Sequence, residues 1–353
     1  MRSRCQEVRE IALRKRTLLT SWLAQPIPWM LIPWSANQAV DSSATASPTN
    51  STATHEYIGI AVPSAITLTA INIYPIKSCR AVSLQHAILT GIGLAEDRRW
   101  QVLGTEERRG VTQRKHRSLA LVQPTLLDEG GMRISAPGMP EIEFERPSGP
   151  VITVDSHFRI PVSARDAGDE AAEWLTEFIG VPLRLVRMDG DAGWRLPPEL
   201  DVFGQGAAFT DAAPVLLANQ GSLDWLVARS SQDFGMDRFR PNLVVTGEEP
   251  WAEDKWDCFA VGEAALRAIV PWPRCTIPQV DQQTAERHKE PARVLRKHRW
   301  CTSAPSIPGD FREIVEGNGL FGVACTIGPV GSTIAVGDQV RVVSSRAPVL
   351  EMT

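Results

Sequence analysis

Cys275 lies in Val270-Pro271-Trp272-Pro273-Arg274-Cys275-Thr276-Ile277-Pro278, where an apolar run ends in a turn that its prolines stiffen. A thiol on a stiff turn beside an arginine is a poor core residue. It is well suited to binding a soft metal or to acting as a nucleophile. Four cations share a related setting: Lys77, Arg98, Arg240 and Arg274 each fall at a strand end or in a turn bounded by proline or glycine. Arginine in such a place suits a phosphate or another dianion, because its planar fork donates bidentate, charge-assisted hydrogen bonds. Spacing alone leaves open whether the four converge or are unrelated surface charges.

In Phe239-Arg240-Pro241-Asn242 the proline fixes the backbone between a long donor and an amide that both donates and accepts. This puts Arg240 and Asn242 on one side of the loop, able to read the polar edge of a heterocycle, unless the segment is an ordinary strand entry. The hydrolytic alternative pairs Cys275 with His288 or His298. Neither histidine has a protease-like local context, and His298 shares an amphipathic helical pattern with Val294 and Leu295, which points to a structural role. No G-x-x-x-x-G-K-[ST] and no G-x-G-x-x-G at a strand–helix junction occurs, so dinucleotide use has no support.

The elements that must position these groups are short. Ile66, Leu68 and Ala70 alternate with Thr67 and Thr69, which predicts a half-buried strand running into Ile73-Tyr74-Pro75-Ile76-Lys77-Ser78-Cys79. Pro75 breaks it and leaves Lys77 and Ser78 on a loop. Gly91, Gly93 and Asp97-Arg98-Arg99-Trp100 precede a strand over 101–103, and Gly110 to Arg114 and Ala120-Leu121-Val122 continue a strand-and-turn pattern. Ala171, Trp174, Leu175 and Phe178 recur at helical spacing, with Asp166 or Asp169 as the cap and Gly180 as the stop. A strand over 183–186 follows. Further on, Ser222 is placed to cap a helix carrying Leu223, Leu226 and Val227, and strands are predicted over 243–245, 265–270 and 339–342. The fold class expected is α+β and β-rich: two β-barrel-like domains with a few helices.

The 353 residues carry a net charge of −4, with 43% hydrophobic residues, 26 prolines and 26 glycines. That suits a globular chain of one to three domains rich in turns. Mild acidity argues against a nucleic-acid partner. The six cysteines make no C-x-x-C pair, so reduced thiols in a cytoplasmic setting are expected rather than disulfides or a structural zinc. Residues 1–65 read as a disordered or targeting-like extension. A basic start precedes a tryptophan- and leucine-rich run from Leu18 to Trp34, which Pro26, Pro28 and Pro33 interrupt. The run falls short of the roughly 20 apolar residues of a bilayer span, so no stable membrane span is expected. Ser35 to Pro63 is rich in Ser, Thr, Ala and Asn, a linker composition.

Tyr74-Pro75-Ile76-Lys77-Ser78-Cys79, Asp97-Arg98-Arg99-Trp100, Thr112-Gln113-Arg114, Phe239-Arg240-Pro241-Asn242 and Arg274-Cys275 occur in that order. Together they resemble the MOSC proteins that carry an N-terminal β-barrel domain, and within that group the amidoxime-reducing components of mitochondria and their bacterial relatives. The resemblance covers about residues 66–345. It implies a MOSC N-terminal domain over 66–186, a connecting loop over 187–209, a MOSC domain over 210–345 and a tail over 346–353.

The resemblance also implies a molybdenum cofactor, a pterin dithiolene with one molybdenum and a phosphate. Cys275 matches the thiolate that ligates molybdenum. Lys77, Ser78, Arg98, Arg240, Asn242 and Arg274 match positions that hold the pterin and its phosphate. Asp211, in Phe209-Thr210-Asp211-Ala212-Ala213-Pro214, matches an aspartate lining the site, a proton carrier or cofactor contact. The implied reaction reduces N-hydroxylated small molecules (amidoximes, hydroxylamines, N-hydroxylated bases). Its electrons would come from a separate donor of ferredoxin or flavin-reductase type. Neither an iron–sulfur cluster nor pyridoxal phosphate is expected in this chain. A non-catalytic carrier of the cofactor or of sulfur, or a cysteine-dependent hydrolase, are the alternatives. Three departures surround the metal position: Pro273 stands where close relatives place Ser, Ala212 and Ala213 replace small polar residues, and the segment from Thr276 to Asp281 lacks paired threonines.

Overall fold

The computed structural model describes residues 65–350, apart from 107–108, 156–160, 191–192, 196–202, 204–205, 212, 306 and 308. The expected extension, up to residue 64, therefore lies outside the described residues, as do Pro197, Pro198, Gly204, Ala212 and the last three residues of the tail. The chain from Ser64 onward packs as one unit.

The first half runs β1 (Thr67–Ile73), β2 (Val82–Leu84), β3 (His86–Thr90), β4 (Gly93–Leu94), β5 (Trp100–Gly104), β6 (Gln123–Leu126), β7 (Met132–Ser135), β8 (Ile142–Phe144), β9 (Val151–Asp155), β10 (Pro161–Asp166), α1 (Asp169–Ile179) and β11 (Leu183–Met188). It continues through β12 (Trp194–Arg195), β13 (Gly206–Ala207), β14 (Val215–Asn219), α2 (Gln220–Val227), β15 (Leu243–Thr246), β16 (Trp256–Val261) and β17 (Ala264–Pro273). The chain closes with α3 (Glu290–His298), β18 (Trp300–Cys301), α4 (Gly309–Val315), β19 (Asn318–Gly328), β20 (Thr333–Ala335) and β21 (Val340–Ser345). The β-rich class expected from the sequence is therefore what the chain adopts.

A nine-stranded sheet, ordered β2-β1-β15-β14-β19-β17-β16-β21 with β18 beside β19, carries the main core. Only β14 and β15 pair in parallel within it, and α2 crosses between them. Its inner face buries Leu68, Ile71, Leu217, Val245, Phe259 and Ile327. A second core lies between the sheet β5-β11-β10-β9, the sheet β6-β7-β8 and α1. Trp100, Leu119, Trp174 and Leu185 fill it, with Trp100 edge-on to Phe144. The two large sheets meet the site where their strands end.

Several local expectations change. The alternation in β1 slips phase: Leu68 is buried but so are Ile71 and Ile73, because a bulge against β15 falls between Leu68 and Ala70. Ala120 and Leu121 belong to a 3₁₀ turn over Arg117–Leu121 rather than a strand, closed by Val122 N donating to Leu119 O. Neither Asp166 nor Asp169 caps α1. Gly168 occupies that position, and both aspartates bind Arg184, at 2.6 and 2.8 Å. Gly180 ends the helix in the left-handed conformation, as its type predicts. Asn219, not Ser222, caps α2, accepting from Gly221 N at 3.0 Å. β17 also runs further than expected. Pro271 and Pro273 stay in the strand, where bulges against β19 spare them from donating to the ladder.

Ser222 has another task. Its Oγ donates to the buried Glu253 carboxylate at 2.8 Å and accepts from Trp251 N at 2.7 Å. Asp254 beside it pairs with the buried Arg299, whose guanidinium lies 4.0 Å over the Trp251 ring. Trp251 packs edge-on to Phe321, and Phe321 stacks on Phe239 at 3.9 Å. The polar network thus props the segment that carries Arg240. Burial, with Asp254 adding to it, pushes the Glu253 carboxyl up to about 7.

The folded protein therefore keeps the Glu253 proton up to about pH 7, while the unfolded chain releases it near its ordinary value of 4.5. Between those values the native state binds more protons, so stability falls as pH rises. Glu253→Gln is expected to flatten that slope in urea denaturation across the same window. An unchanged slope would refute the assignment.

Candidate functional site

The loops leaving β1 and β17, the segment before β14 and the turn before β15 converge on a cavity of about 270 Å³. Lys77, Ser78, Arg98, Asp211, Arg240, Asn242, Arg274 and Cys275 all line it. Residues separated by up to two hundred positions in sequence are thus brought together. Among the described lining residues there are five cations, counting Arg114, and one carboxylate, Asp211.

Tyr74 organises the cationic wall. Its fully enclosed ring has the Arg98 guanidinium 4.6 Å from its centre and that of Arg240 at 4.1 Å. Its hydroxyl donates to Pro241 O at 3.1 Å and its backbone N–H to Asp97 Oδ1 at 2.8 Å. Asp97 also holds Arg98, through Oδ2 at 2.5 Å. Burial pushes the Tyr74 hydroxyl up to about 12, with Arg240 and Arg98 opposing. Ser78, Arg98 and Arg240 have φ of 69°, 50° and 56°, the left-handed region that side chains normally avoid. Each such residue costs about 1–2 kcal/mol. Strain of this kind gathers where a site needs side chains aimed in one direction.

The cations are differently held. Lys77 Nζ donates to Phe209 O at 2.7 Å and to Asp211 Oδ1 at 2.5 Å. Burial lowers the Lys77 ammonium, and Asp211 counters it. Burial is the largest influence on Arg98 and lowers it, but Asp97, Tyr74 and Asp211 together outweigh it and hold Arg98 high. Arg240 donates through Nη1 to Gln282 Oε1 at 3.3 Å, and burial brings it down to about 10. Arg274 donates through Nη2 to Phe239 O at 2.6 Å, and burial lowers it too, against Cys275 and Asp211. Arg240 Nη2, Arg274 Nε and Thr210 Oγ1 are buried and have no hydrogen-bond partner within the protein. All three residues line the cavity. Unmet donors in a cation-rich cavity fit an anionic, acceptor-rich ligand.

Asn242 lines the cavity, yet its amide is committed to the scaffold. Oδ1 accepts from Arg98 Nη1 at 3.1 Å and Leu216 N at 3.2 Å, and Nδ2 donates to Asn72 O at 3.0 Å. It ties β1, β14 and the Arg98 turn into one piece, a bracing task that reading a heterocycle would not require.

Cys275 stands apart from the other described cysteines. It is exposed at the cavity, with Ile277 N 3.5 Å from its Sγ. Burial pushes Cys79 and Cys325 up to about 12 and raises Cys258 and Cys301, so those thiols stay protonated and inert. No histidine among the described residues lines the cavity. His298 packs edge-on to Trp225, and His288 lies near Glu286 on a different cavity. The thiol–imidazole pair is not assembled.

Two residues that sequence reasoning left without a role support the walls from behind. Gln113 and Gln282, both buried, exchange amide hydrogen bonds at 2.9 and 3.1 Å. Gln113 Nε2 also donates to Ser78 O at 2.8 Å, and Gln282 Oε1 receives Arg240. Gln113 sits within the quoted Thr112-Gln113-Arg114 motif, which was the available signal. Gln282 had none. Pro273 and Ala213, two of the departures, also face the cavity, and the Arg274 N–H that follows Pro273 donates to Gly319 O at 2.9 Å.

Residues 65–182 match the model of the MOSC N-terminal beta barrel domain and residues 205–341 that of the MOSC domain. The chain is 34% identical over 288 residues to a protein named mitochondrial amidoxime reducing component 2 from Bos taurus, covering 78% of this chain and 82% of that protein. It is 34% identical over 244 residues to mitochondrial amidoxime-reducing component 1 from Danio rerio, covering 66% and 74%. To the component 2 protein from Homo sapiens it is 32% identical over 286 residues, covering 78% and 82%.

Asn242→Ala would strand Leu216 N and Asn72 O at once and leave Arg98 Nη1 with Asp97 alone. A loss of roughly 2–4 kcal/mol in urea unfolding is expected, since each buried unmet group costs about 1–3 kcal/mol and water can reach part of the cavity. A change below about 0.5 kcal/mol, the range of an ordinary surface substitution, would show that the brace is dispensable.

Proposed function

The chain belongs to the MOSC-domain family that includes the mitochondrial amidoxime-reducing components, and from that premise we propose that it is a molybdenum-dependent reductase of N-hydroxylated compounds. The observation that carries this reading is the pairing of one exposed thiol with a buried cationic cavity whose Arg240, Arg274 and Thr210 donors lack partners. Those features fit a pterin dithiolene cofactor bearing a phosphate. Cys275 would hold the metal, a soft thiolate for a sulfur-rich centre. Lys77, Ser78, Arg98, Arg240 and Arg274 would hold the pterin and its phosphate. Among the described residues no three His, Cys, Asp or Glu side chains gather as a metal cluster. A cofactor that brings its own dithiolene sulfurs asks the protein for a single thiolate, so the two observations agree.

The chemistry that this cofactor supplies when bound is a two-electron redox centre able to take oxygen from an N–O bond. The chain's own residues do the rest. Reducing an N-hydroxyl to an amine consumes two electrons and two protons and yields water. Asp211 is the one carboxylate among the described lining residues, and Lys77 holds its Oδ1. We assign proton delivery to this pair, with Lys77 fixing the carboxylate and the lowered ammonium easing proton exchange between them. The Arg98 and Arg240 wall on Tyr74 holds positive potential against the cofactor's charge. Electrons arrive from a separate donor protein. Among the described residues no helix is long and apolar enough to cross a membrane. We propose a cytoplasmic setting for the chain, which suits cysteines that, among the described residues, are not bonded to one another.

Cys275→Ser is expected to keep the fold, because the side chain is exposed, while molybdenum content falls and benzamidoxime reduction with an artificial donor drops at least a hundredfold. Metal analysis and turnover are measured on protein made in a cofactor-competent host. Bound molybdenum without turnover in the unaltered protein would favour a carrier. Full turnover in the variant would remove Cys275 from the metal.

A further inference from the structure

The cavity that holds Cys275 is not cationic throughout. Its lining includes Ala213, Trp272, Pro273 and Ile314, none of which carries a charge. Trp272 lies three positions before Cys275, so at most about 11 Å of extended chain separates the two. The thiol and the indole therefore belong to one corner of the site.

The backbone places Trp272 there. Pro271 and Pro273 flank it, and each fixes its own φ. Pro271 pairs with Val323 and Pro273 with Leu320, so Trp272 alone stands opposite two residues of β19, Phe321 and Gly322. Irregularities of this kind re-aim side chains beside active sites. Gly322 takes a φ of 72°, and a Cβ there would stand 2.8 Å from Leu217 O, so the irregularity depends on glycine. The Trp272 ring is half-buried and packs against the cluster that contains Val270, Cys301, Val315 and Ala324. Ile314 comes from α4, which Arg312 ties to the preceding segment by donating to Ala304 O, Pro305 O and Ile307 O at 3.2, 3.0 and 3.2 Å.

Trp100, Trp174, Trp225, Trp251, Trp256 and Trp300 each face another ring or a guanidinium. Trp272 has no such partner among the described residues, and it borders the cavity. We propose that Trp272 is a specificity-determining residue, the wall against which the flat, uncharged aromatic body of an N-hydroxylated substrate packs while its N–O group lies by Cys275. The inference rests on the reductase reading above and deepens it by naming the substrate class. An aromatic body is favoured over an aliphatic one because ring contacts add to the gain from burial alone. A neutral body is favoured over a charged one because the cations of this cavity are taken up by the cofactor in that reading.

The test compares benzamidoxime with acetamidoxime, which share the reacting group and differ by the ring, on the cofactor-loaded protein with an artificial electron donor. The unaltered protein is expected to have a kcat/KM at least tenfold higher for benzamidoxime. In Trp272→Leu, which keeps an apolar side chain but no ring, that ratio should fall at least fivefold through the KM for benzamidoxime, while acetamidoxime turnover stays within twofold. Trp272→Phe should keep most of the preference. Calorimetric binding of benzamidoxime to the oxidised protein, with no donor present, is a readout independent of turnover and should weaken at least fivefold in Trp272→Leu. Binding that depends on Trp272, without reduction of either compound, would sink the reductase reading and leave the aromatic wall standing. Reduction of both compounds with an unchanged ratio in Trp272→Leu overturns the wall and leaves the reductase reading. A ratio near one in the unaltered protein, or a proportional loss for both compounds in the variant, overturns the wall as well. Loss of bound pterin and molybdenum in Trp272→Leu would assign the ring to the cofactor, with the same result.

Discussion

Two guanidiniums share one buried aromatic ring, and the site depends on that arrangement. Arg98 and Arg240 come from turns 142 positions apart, yet both lie over Tyr74. Burying positive charge is costly, and Asp97 pairs directly with Arg98 to offset part of it. The ring's negative face offsets part of that cost, by about 2 kcal/mol for a desolvated contact. It also fixes the spacing between the two charges. The Tyr74 hydroxyl then anchors Pro241, so the turn that carries Arg240 cannot drift from the ring that receives it.

Holding cations in this way requires a stiff frame. Three of the cavity residues keep left-handed backbones, a conformation that persists only where surrounding contacts over-determine it. The frame comes from both cores. Asn242 locks the Arg98 turn to β1 and β14, while Phe239 rests on Phe321, Trp251 and the buried Glu253–Asp254–Arg299 network. Arg240 Nη2, Arg274 Nε and Thr210 Oγ1 remain unmet after all this bracing, and their residues line the cavity. Buried polar atoms without a partner also occur elsewhere, as at Trp251 Nε1 and Asp254 Oδ1, but these three border a cationic cavity where an acceptor-rich ligand would meet them.

Much of the site was legible from residue types at breaks in the pattern. Cys275 after a proline-rich strand end, and cations next to prolines and glycines, announce groups pushed out of regular structure. All eight expected site residues line one cavity, although lining a cavity does not by itself fix a role. The supporting interactions were not legible, because they exist only after distant segments meet. Tyr74 reads as an ordinary strand aromatic until two arginines arrive over it. Gln113 and Gln282 are 169 positions apart, and no local pattern ties them. Ser222 looked like a helix cap because its type prefers that place, yet burial of Glu253 recruited it instead. The phase of β1 was misread because a bulge is a property of the pair β1–β15 and not of either strand alone.

The order of the nine-stranded sheet has a consequence for how the protein acquires any ligand. β1 lies against β15, and its N-terminal end also hydrogen-bonds the chain near β21, with Leu68 N donating to Asp338 O and Val340 N to Ile66 O. The earliest described strand thus closes on the last. Lys77 and Ser78 hang from its far end, so their positions are not defined until nearly the whole chain has been made. Non-local pairing of this kind is slow, because loop-closure entropy must be met before the contacts return anything. A nascent chain that already carries Cys275 and every cation of the wall still lacks β19 and the pairing of β1 with the β21 region, so the cavity waits for segments that add no group to its cationic wall.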